Sequence, residues 1–493
     1  MCKKPLAMKT SISFFIVMFL ALSLQAQIVH ISDTNFKNAL LYEIVADLDG
    51  DGVIDSRVDT NNDGEIQVSE AEAVDGLDIA GKGISSLEGI QSFTNLRELD
   101  CSSNQLGELV LIQNTNLVWL DCSGDDLTLL DISQNVNLEY LDCDDNDLSS
   151  LNIMNNINLI FLYCWLNNLN ELDTSQNINL QYLRCPSNDL VSLDLSQNTS
   201  LRALEVDNND LESLDLSQNI NLEILLCGNN SLESLEISQA VDLSILKCAI
   251  NNLDTLELAT NVNLTTLYCY GNNLINLDVS NNLNLGDLDI GFNSLSSIDL
   301  SQNVQLWQLY CNSNDFTQLD LSNNINLGTL YCPNNSLTSL DLAENKLLGK
   351  LICGSNQLTS LNIKNDFNFI FATLETTDNP DLACIQVDDI AFANNQPGWE
   401  IDPWTEYSEA CVLGLEEYKN LVMTVSPNPV ANVLYIDTKD TLDDDMMIID
   451  MHGRIVKTIP SANFVDVSQL STGLYFLKVS SEGVVVTKKF IKK

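Results

Sequence analysis

Histidine is nearly absent from this chain. Two occur in 493 residues, His30 near the start and His452 near the end. None lies in the long middle stretch, so no nucleophile there can pair with an imidazole base. Basic residues are scarce too: 22 Lys and Arg stand against 69 Asp and Glu, a formal net charge of −47. A field of that sign repels nucleic acid and anionic lipid, which are bound through cationic contacts. It favours solubility, cations and basic partners. Carboxylates recur so regularly that no acid/base pair is singled out, and the expectation is that the chain is not an enzyme.

Long apolar runs are missing except one. Lys3, Lys4 and Lys9 precede the apolar stretch Ile12 to Leu24, and Gln25-Ala26 offers a small-residue cleavage point. The stretch is too short for a spanning helix and has the layout of a secretory signal peptide over 1–26. The exported chain then begins near Gln27 and contains no transmembrane segment. Losing three lysines with no acid takes the charge from −47 to −47 − 3, about −50. The last segment is different: 421–493 carries eight acids and eight bases.

What the chain does have is a period. Cys101, Cys122, Cys143, Cys164, Cys185, Cys227, Cys248, Cys269, Cys311, Cys332 and Cys353 fall on one 21-residue ruler, and its vacant marks hold Val206 and Ile290. A position that takes Cys, Val or Ile wants a compact apolar side chain rather than sulfur chemistry. A fixed period over thirteen units means a stacked solenoid. One unit reads Leu96-x-x-Leu99-x-Cys101-x-x-Asn104-x-Leu106, and the pattern LxxLxCxxNxL resembles the leucine-rich repeat over roughly 77–365. Leu99 and Cys101 should point inward from a short strand and Asp100 outward. The asparagines at 104, 146, 167, 188, 209, 230, 251, 272, 293, 314, 335 and 356 should satisfy backbone groups from coil to coil. Asp125 stands where the series calls for Asn, and a local weakness is expected there. Leu127 to Asn135 restates the logic as a second half-repeat. The expected fold is therefore mainly β: a solenoid of two parallel sheets, capped at both ends, spanning on the order of 60 Å at about 4.8 Å per coil.

The expected layout is an N-terminal cap over 27–94, the solenoid over 95–365, a C-terminal cap over 366–411, a linker over 412–420 and a separate domain over 421–493. In the first cap a helix is expected from about Thr34 to Val45 with Phe36, Leu40 and Ile44 on one face. Asp59-x-Asn61-x-Asp63-Gly64-Glu65 with Glu70 at the twelfth place follows a calcium-loop pattern. Asp47-x-Asp49-x-Asp51-Gly52 with Asp55 precedes it, with Val58 in the twelfth place. Two such loops in direct succession resemble dockerin or thrombospondin-type calcium clips, which implies structural calcium; the other reading is an acidic polar turn. In the second cap, Cys384 and Cys411 lie off the ruler and flank Trp399 and Trp404. A disulfide stapling that cap is expected in an exported chain, with two free thiols the alternative.

Two outward rows bear on function. The first is Asp131, Asp173, Asp194, Asp215, Glu236 and their equivalents, whose mutual repulsion should attract diffuse cations or raise some carboxyl pKa values; a solvated face is the preferred reading. The second lies on the strands. Trp119, Tyr140, Phe161, Tyr163, Trp165 and Tyr182 fall on adjacent coils beside Asp100, Asp121 and Asp142. They form a candidate partner-binding patch or a stack that only stabilises the sheet. Tyr268, Tyr270, Phe292, Tyr310 and Tyr331 make a second set.

Past the solenoid, Ser426-Pro427-Asn428-Pro429, the block Val465 to Val479 containing Ser471-Thr472-Gly473-Leu474-Tyr475, and the ending Lys488-Lys489-Phe490-Ile491-Lys492-Lys493 resemble the type A sorting domain of the type IX secretion system. The resemblance implies a small β-sandwich, contact with the secretion machinery, removal at the surface, and attachment to lipopolysaccharide or release. Together these features suggest a Bacteroidetes-type surface or secreted protein that binds a protein in the manner of an adhesin. Carbohydrate capture by Trp119 and Trp165, or a passive calcium-stabilised spacer, are the alternatives.

Overall fold

The structure is a computed structural model. It describes residues 27–411, 423–438, 446–451, 454–460, 462–481 and 484–493. The expected signal peptide, the linker at 412–420 and His452 lie outside those residues. The chain divides into two compact units, the first running to Glu409 and the second from Ala410.

The first unit is the solenoid. Three-residue strands pair in parallel with a constant offset of 21, so that Leu99, Leu120, Leu141, Leu162 and Leu183 stand one above another. The middle residue of each points inward and its neighbours outward, the alternation any strand imposes. This ladder makes one 17-stranded sheet. Both caps extend it. At the start, Ala46–Asp47 runs antiparallel to Gly76–Asp78, which is parallel to Glu98–Asp100. At the far end, Thr373–Glu375 and Trp399–Glu400 continue the parallel stack beyond residue 365.

The opposite side is less regular than two equal sheets. Ladders occur at Leu109–Val110 with Leu130–Asp131, and through Ser339–Asp341, Ser360–Asn362, Cys384–Gln386 and Glu406–Ser408. Between these, the described coils are joined there by asparagine side chains. Asn135 is fully buried and its amide donates to the carbonyls of Leu111 (3.1 Å) and Asn114 (2.8 Å). The same geometry recurs at Asn156, Asn177, Asn219 and Asn261.

The expected asparagine series works as a second ladder beneath the strands. Asn167 donates to the carbonyls of Cys143 (3.0 Å) and Cys164 (3.3 Å) and accepts from the Leu148 N–H (3.0 Å). Asn379 and Asp402 carry the series into the C-terminal cap. Each buried amide thus satisfies backbone that the tight coil would otherwise orphan.

The N-terminal helix is shorter than expected, Thr34–Tyr42, capped by the Asp33 carboxylate. Phe36, Ala39, Leu40 and Leu41 are buried, whereas Ile44 is exposed because the chain has already left the helix. In the C-terminal cap Trp399 is buried against Phe371, Phe392 and Tyr407 and covers the open end of the core.

The second unit holds two antiparallel sheets. One comprises Met423–Ser426, Val433–Thr438 and Phe464–Asp466. The other comprises Ile455–Ile459, Met446–Asp450, Gly473–Ser481 and Val484–Lys492. They share a core of Leu434, Ile436, Met446, Ile448, Val465, Leu477 and Phe490, the small sandwich expected of this segment.

Candidate functional site: the strand face of the solenoid

The parallel register lines up the outward residues of successive strands. Trp119, Tyr140, Phe161 and Tyr182 occupy one column. Their rings are stacked in pairs: Trp119 on Tyr140 with centroids 5.0 Å apart, and Phe161 on Tyr182 at 4.7 Å. Tyr163, in the next column, meets Tyr140 edge-on at 5.5 Å, and the Arg184 guanidinium lies 5.2 Å from its ring centroid. Five of the six expected residues are therefore one contiguous group, half-buried with open faces. Trp165 is not stacked with them. It lies past Cys164, where its backbone N–H donates to the Asp144 carboxylate.

The second aromatic set is looser. Tyr310 and Tyr331 touch at 5.5 Å, Lys247 caps the ring of Tyr268 at 4.8 Å, and the Tyr268 hydroxyl donates to Asp287 (2.6 Å). Phe292 is 61 % exposed on a left-handed residue with φ 51°. Leu166 and Ile250 share that strained conformation at the same point of their coils. The sequence reading passed over Trp307, which is half-exposed. It lies so close to Gly286 that a Cβ there would come within 3.0 Å of its ring. A glycine one coil before a tryptophan was the available signal.

Carboxylates border the rings. Burial raises the pKa of Asp100, and the charges of Asp121 and Asp78 add to it. Burial likewise raises Asp142, with the charge of Asp121 adding to it, and Asp144, with the charge of Asp142 adding to it, and pushes Asp289 up to about 6. The Tyr140 phenol is pushed up by its own burial and by Asp142 and Asp121. Asp125 confirms the weak point. It is fully buried; one carboxylate oxygen accepts from the Asn104 N–H (2.8 Å) and the other has no partner. Burial pushes its pKa up to about 7, and the charges of Asp121 and Asp100 add to the shift.

The other acidic row behaves in the opposite way to one of the expectations. Asp131, Asp173, Asp194 and Asp215 each accept from the backbone N–H and hydroxyl of the serine two residues on, which holds them below the usual carboxylate range. The same turn does this for Glu236 with Ser238 and for Asp278, Asp299 and Asp320 with their serines. Local hydrogen bonding outweighs repulsion between neighbours that water screens.

The ruler cysteines are free and buried. Burial pushes the Cys248 thiol up to about 12 and raises Cys101, Cys122 and Cys143 as well. Such thiols are packing rather than nucleophiles. Cys384 and Cys411 are disulfide-bonded as expected.

In the N-terminal cap, the carboxylates of Asp47, Asp49 and Asp51 converge within 4.8 Å. Backbone N–H groups organise them: Asp47 accepts from Asp49, Gly50 and Gly52, Asp49 from Asp51, and Asp51 from Val53. Burial opposes the Asp47 charge, but these bonds win and hold it below the usual range. Three convergent anionic oxygens fit a hard cation. In the following loop the candidate ligands are engaged with one another. Asp59 accepts from Asn62 and Gly64, and Gln67 bonds both Asn61 and Asp63. Glu65 pairs with Lys37 at 2.6 Å, and Glu70 accepts from Thr60 and Gln67. Asp55 bonds the neighbouring Ser56 hydroxyl.

Residues 424–493 match the family model described as a secretion system C-terminal sorting domain. Among solved structures, the functional domain of InlJ from Listeria monocytogenes, described as including a cysteine ladder, is 26 % identical with a TM-score of 0.55, covering 87 % of this chain and 93 % of that one. A leucine-rich-repeat protein of Leptospira interrogans is 24 % identical at a TM-score of 0.57, with coverage of 68 % and 97 %. An internalin, inlF, of Listeria monocytogenes shares the fold at 18 % identity and a TM-score of 0.54, with coverage of 72 % and 98 %. No curated protein is significantly similar in sequence. Described helices are too short and polar to cross a membrane. The chain is an exported solenoid of leucine-rich-repeat type that carries a type IX secretion sorting domain of the Bacteroidetes kind, bound for the outer-membrane surface or the extracellular space.

Proposed function

We propose that the strand face between Trp119 and Tyr182 captures a protein partner, making this an adhesin-like surface protein. The observation that supports the reading is the ring group itself: five aromatics in mutual contact, partly open, and bordered by Asp100, Asp121, Asp142 and Asp144. Rings already held by packing cost little entropy to order, which is why aromatics anchor interfaces. The acidic border selects basic groups, and Arg184 over Tyr163 is an internal instance of the contact a partner's cation would make. Nothing about the site calls for catalysis: histidine is missing from the solenoid and its thiols are buried.

The test is capture from surface proteins and polysaccharides by the full chain and by its Trp119→Ala/Tyr140→Ala/Trp165→Ala variant. A protein retained by the parent and lost by a folded variant supports the reading. Selective retention of a glycan, released by free sugar, would replace it with carbohydrate capture. Retention of nothing by either chain would leave a spacer as the better account.

We also propose that calcium orders the N-terminal cap, held first by Asp47, Asp49 and Asp51, with Asp55 and Asp59 near by in sequence. The second loop, Asp59 to Glu70, would bind only by giving up hydrogen bonds it now makes. Thermal unfolding in calcium and in chelator tests this. A midpoint that is the same in both would sink the proposal, as would an Asp49→Ala/Asp51→Ala variant that responds to calcium like the parent.

A further inference from the structure

Along the turn that leads from the second half-repeat back into each strand runs a row of exposed aliphatic side chains. Val136, Ile157, Ile178, Ile220, Val241, Val262, Leu283, Val304 and Ile325 occupy the same point of successive coils. Each is 42–56 % exposed. Thr199 replaces the aliphatic residue in one coil. The row is held straight from beneath and beside. The residue before each, except Val241 where Ala240 stands, is the buried asparagine that bonds two carbonyls of the preceding coil. The residue after is often an exposed asparagine that bonds the coil below: Asn158 donates to the carbonyl of Val136 (3.1 Å) and Asn179 to that of Ile157 (3.2 Å). The result is a ridge of apolar tips about 5 Å apart and on the order of 40 Å long.

Its surroundings are unusual for this molecule. In the five-residue turns from Ser133–Asn137 through Ser322–Asn326, Asp242 is the only charged residue, although the chain as a whole carries −47. Serine, glutamine and asparagine fill most of the rest, with Met154, Thr199, Ala240, Ala259 and Thr260 the exceptions. The strip ends at the next coil, where Glu344 and Lys346 stand and Lys346 pairs with Asp366 at 3.8 Å.

We propose that this ridge is the contact between two copies of the chain. Two considerations select a second copy over other occupants. A molecule with so large a negative charge repels its own kind wherever acids face acids, and this strip is where two copies can meet without opposing charges. A basic partner would gain nothing from a neutral ridge and is better served by the acidic strand face. Area is the other consideration. Covering the row would bury on the order of 800 Å² per copy, the share that each partner contributes to a stable interface of standard size. The contact is self-complementary, because both ridges carry the same 21-residue step. A two-fold axis along the ridge makes an isologous pair and puts the two acidic rows, Asp131 to Asp341, on opposite sides of the seam. Scattered exposed aliphatics need no explanation, but a continuous row with its charges removed does.

Sedimentation velocity of the full chain over a wide concentration range tests the proposal. The expected result is a monomer of 54.6 kDa at low concentration passing to a dimer, with the dimer tightening as salt is added, since salt screens the net charge and leaves apolar contact intact. Ile178→Glu with Val262→Glu places like charges in the seam and should weaken the dimer about a hundredfold or more, with an unchanged unfolding midpoint because both sites are exposed. Ile178→Thr with Val262→Thr copies the native Thr199 and should weaken it about tenfold, which keeps the test open if the charged variant folds poorly. A chain that stays monomeric at every concentration overturns the proposal. So does a dimer that both variants leave intact, which would place the contact on another face.

Discussion

Asp289 and Asp299 belong to one coil, ten residues apart, and their carboxyl groups are displaced in opposite directions. Asp289 stands on the strand face, where burial pushes its pKa up to about 6. Asp299 stands on the far side, where the N–H and hydroxyl of Ser301 hold its pKa below the usual range. The contrast extends along both faces. Aspartates among the strand-face rings are half-buried, unlike Asp131, Asp173, Asp194, Asp215, Asp278, Asp299 and Asp320 of the far-side row, which are exposed and have a serine two residues on. An acidic solenoid is therefore not uniformly acidic in effect. Most of the far-side row is held below the usual carboxylate range by local hydrogen bonds. The strand face keeps carboxyl groups that part with their protons reluctantly and gain from a cation placed beside them.

The sharpest way to break this comparison is to remove what supports both faces. Asn188→Ala orphans the N–H of Leu169 and takes one of two amide donors from each of the Cys164 and Cys185 carbonyls, which keep Asn167 and Asn209. A loss of about 3 kcal/mol is expected, since the buried N–H left unsatisfied costs about 1–3 kcal/mol and two further hydrogen bonds to carbonyls are lost with it. Denaturant unfolding measures it.

Asp125→Asn should have the next largest effect and the opposite sign. The folded pKa of about 7 lies above the ordinary carboxyl value of 3.8, so between those limits the native chain holds a proton that the unfolded chain has released. Stability from this residue is complete below the lower limit, falls as pH rises through the window, and is flat above it. The substitution restores an amide donor. It should raise stability at pH 8 by about 2–3 kcal/mol and remove that slope. A variant no more stable than the parent at pH 8 would count against the assignment.

Asp289→Asn tests the strand face directly. Its window runs from the ordinary value of 3.8 to about 6. The gain at neutral pH should be about 1 kcal/mol after allowing for the solvent that reaches it, with none at pH 3. Cys227→Val sits below both faces and should change stability by less than about 1 kcal/mol, because Val206 fills the equivalent place. A large loss would mean that the thiol does more than pack. Asp299→Asn should be the smallest of all. Its pKa is lowered, so any contribution is present above the unfolded value and is lost as pH falls through the folded one. A small drop in midpoint at pH 7, absent at pH 2, is the expected outcome.

The stack, its inward leucines and cysteines, its asparagine ladder and the faulty rung at Asp125 could all be read from the sequence. A 21-residue period fixes which residues are equivalent, and equivalence under burial leaves one assignment of inside and outside. The five stacked rings were legible for the same reason. Trp165 was assigned to the group because sequence distance cannot tell adjacent columns of a coil apart. The far-side ladder was expected to be continuous, but whether neighbouring backbones approach closely enough to bond depends on how the coil closes. Its buried asparagines were equally periodic, yet their role needs the carbonyls they reach, 21 and 24 residues away. The calcium loops show the same limit: both follow the pattern, but the fold gathers three carboxylates in the first and engages those of the second in hydrogen bonds.

The sequence by itself determined the repeat, the core and the sorting domain, since each is carried by residue type at a fixed spacing, and it left the cap cysteines as a bond or two free thiols. The tertiary structure decided which acids are held up or down by their surroundings, which rings touch, and that one turn of most coils lines up into an apolar ridge with a single charge in it. Those properties depend on distances and solvent access between coils, and only the folded chain sets them.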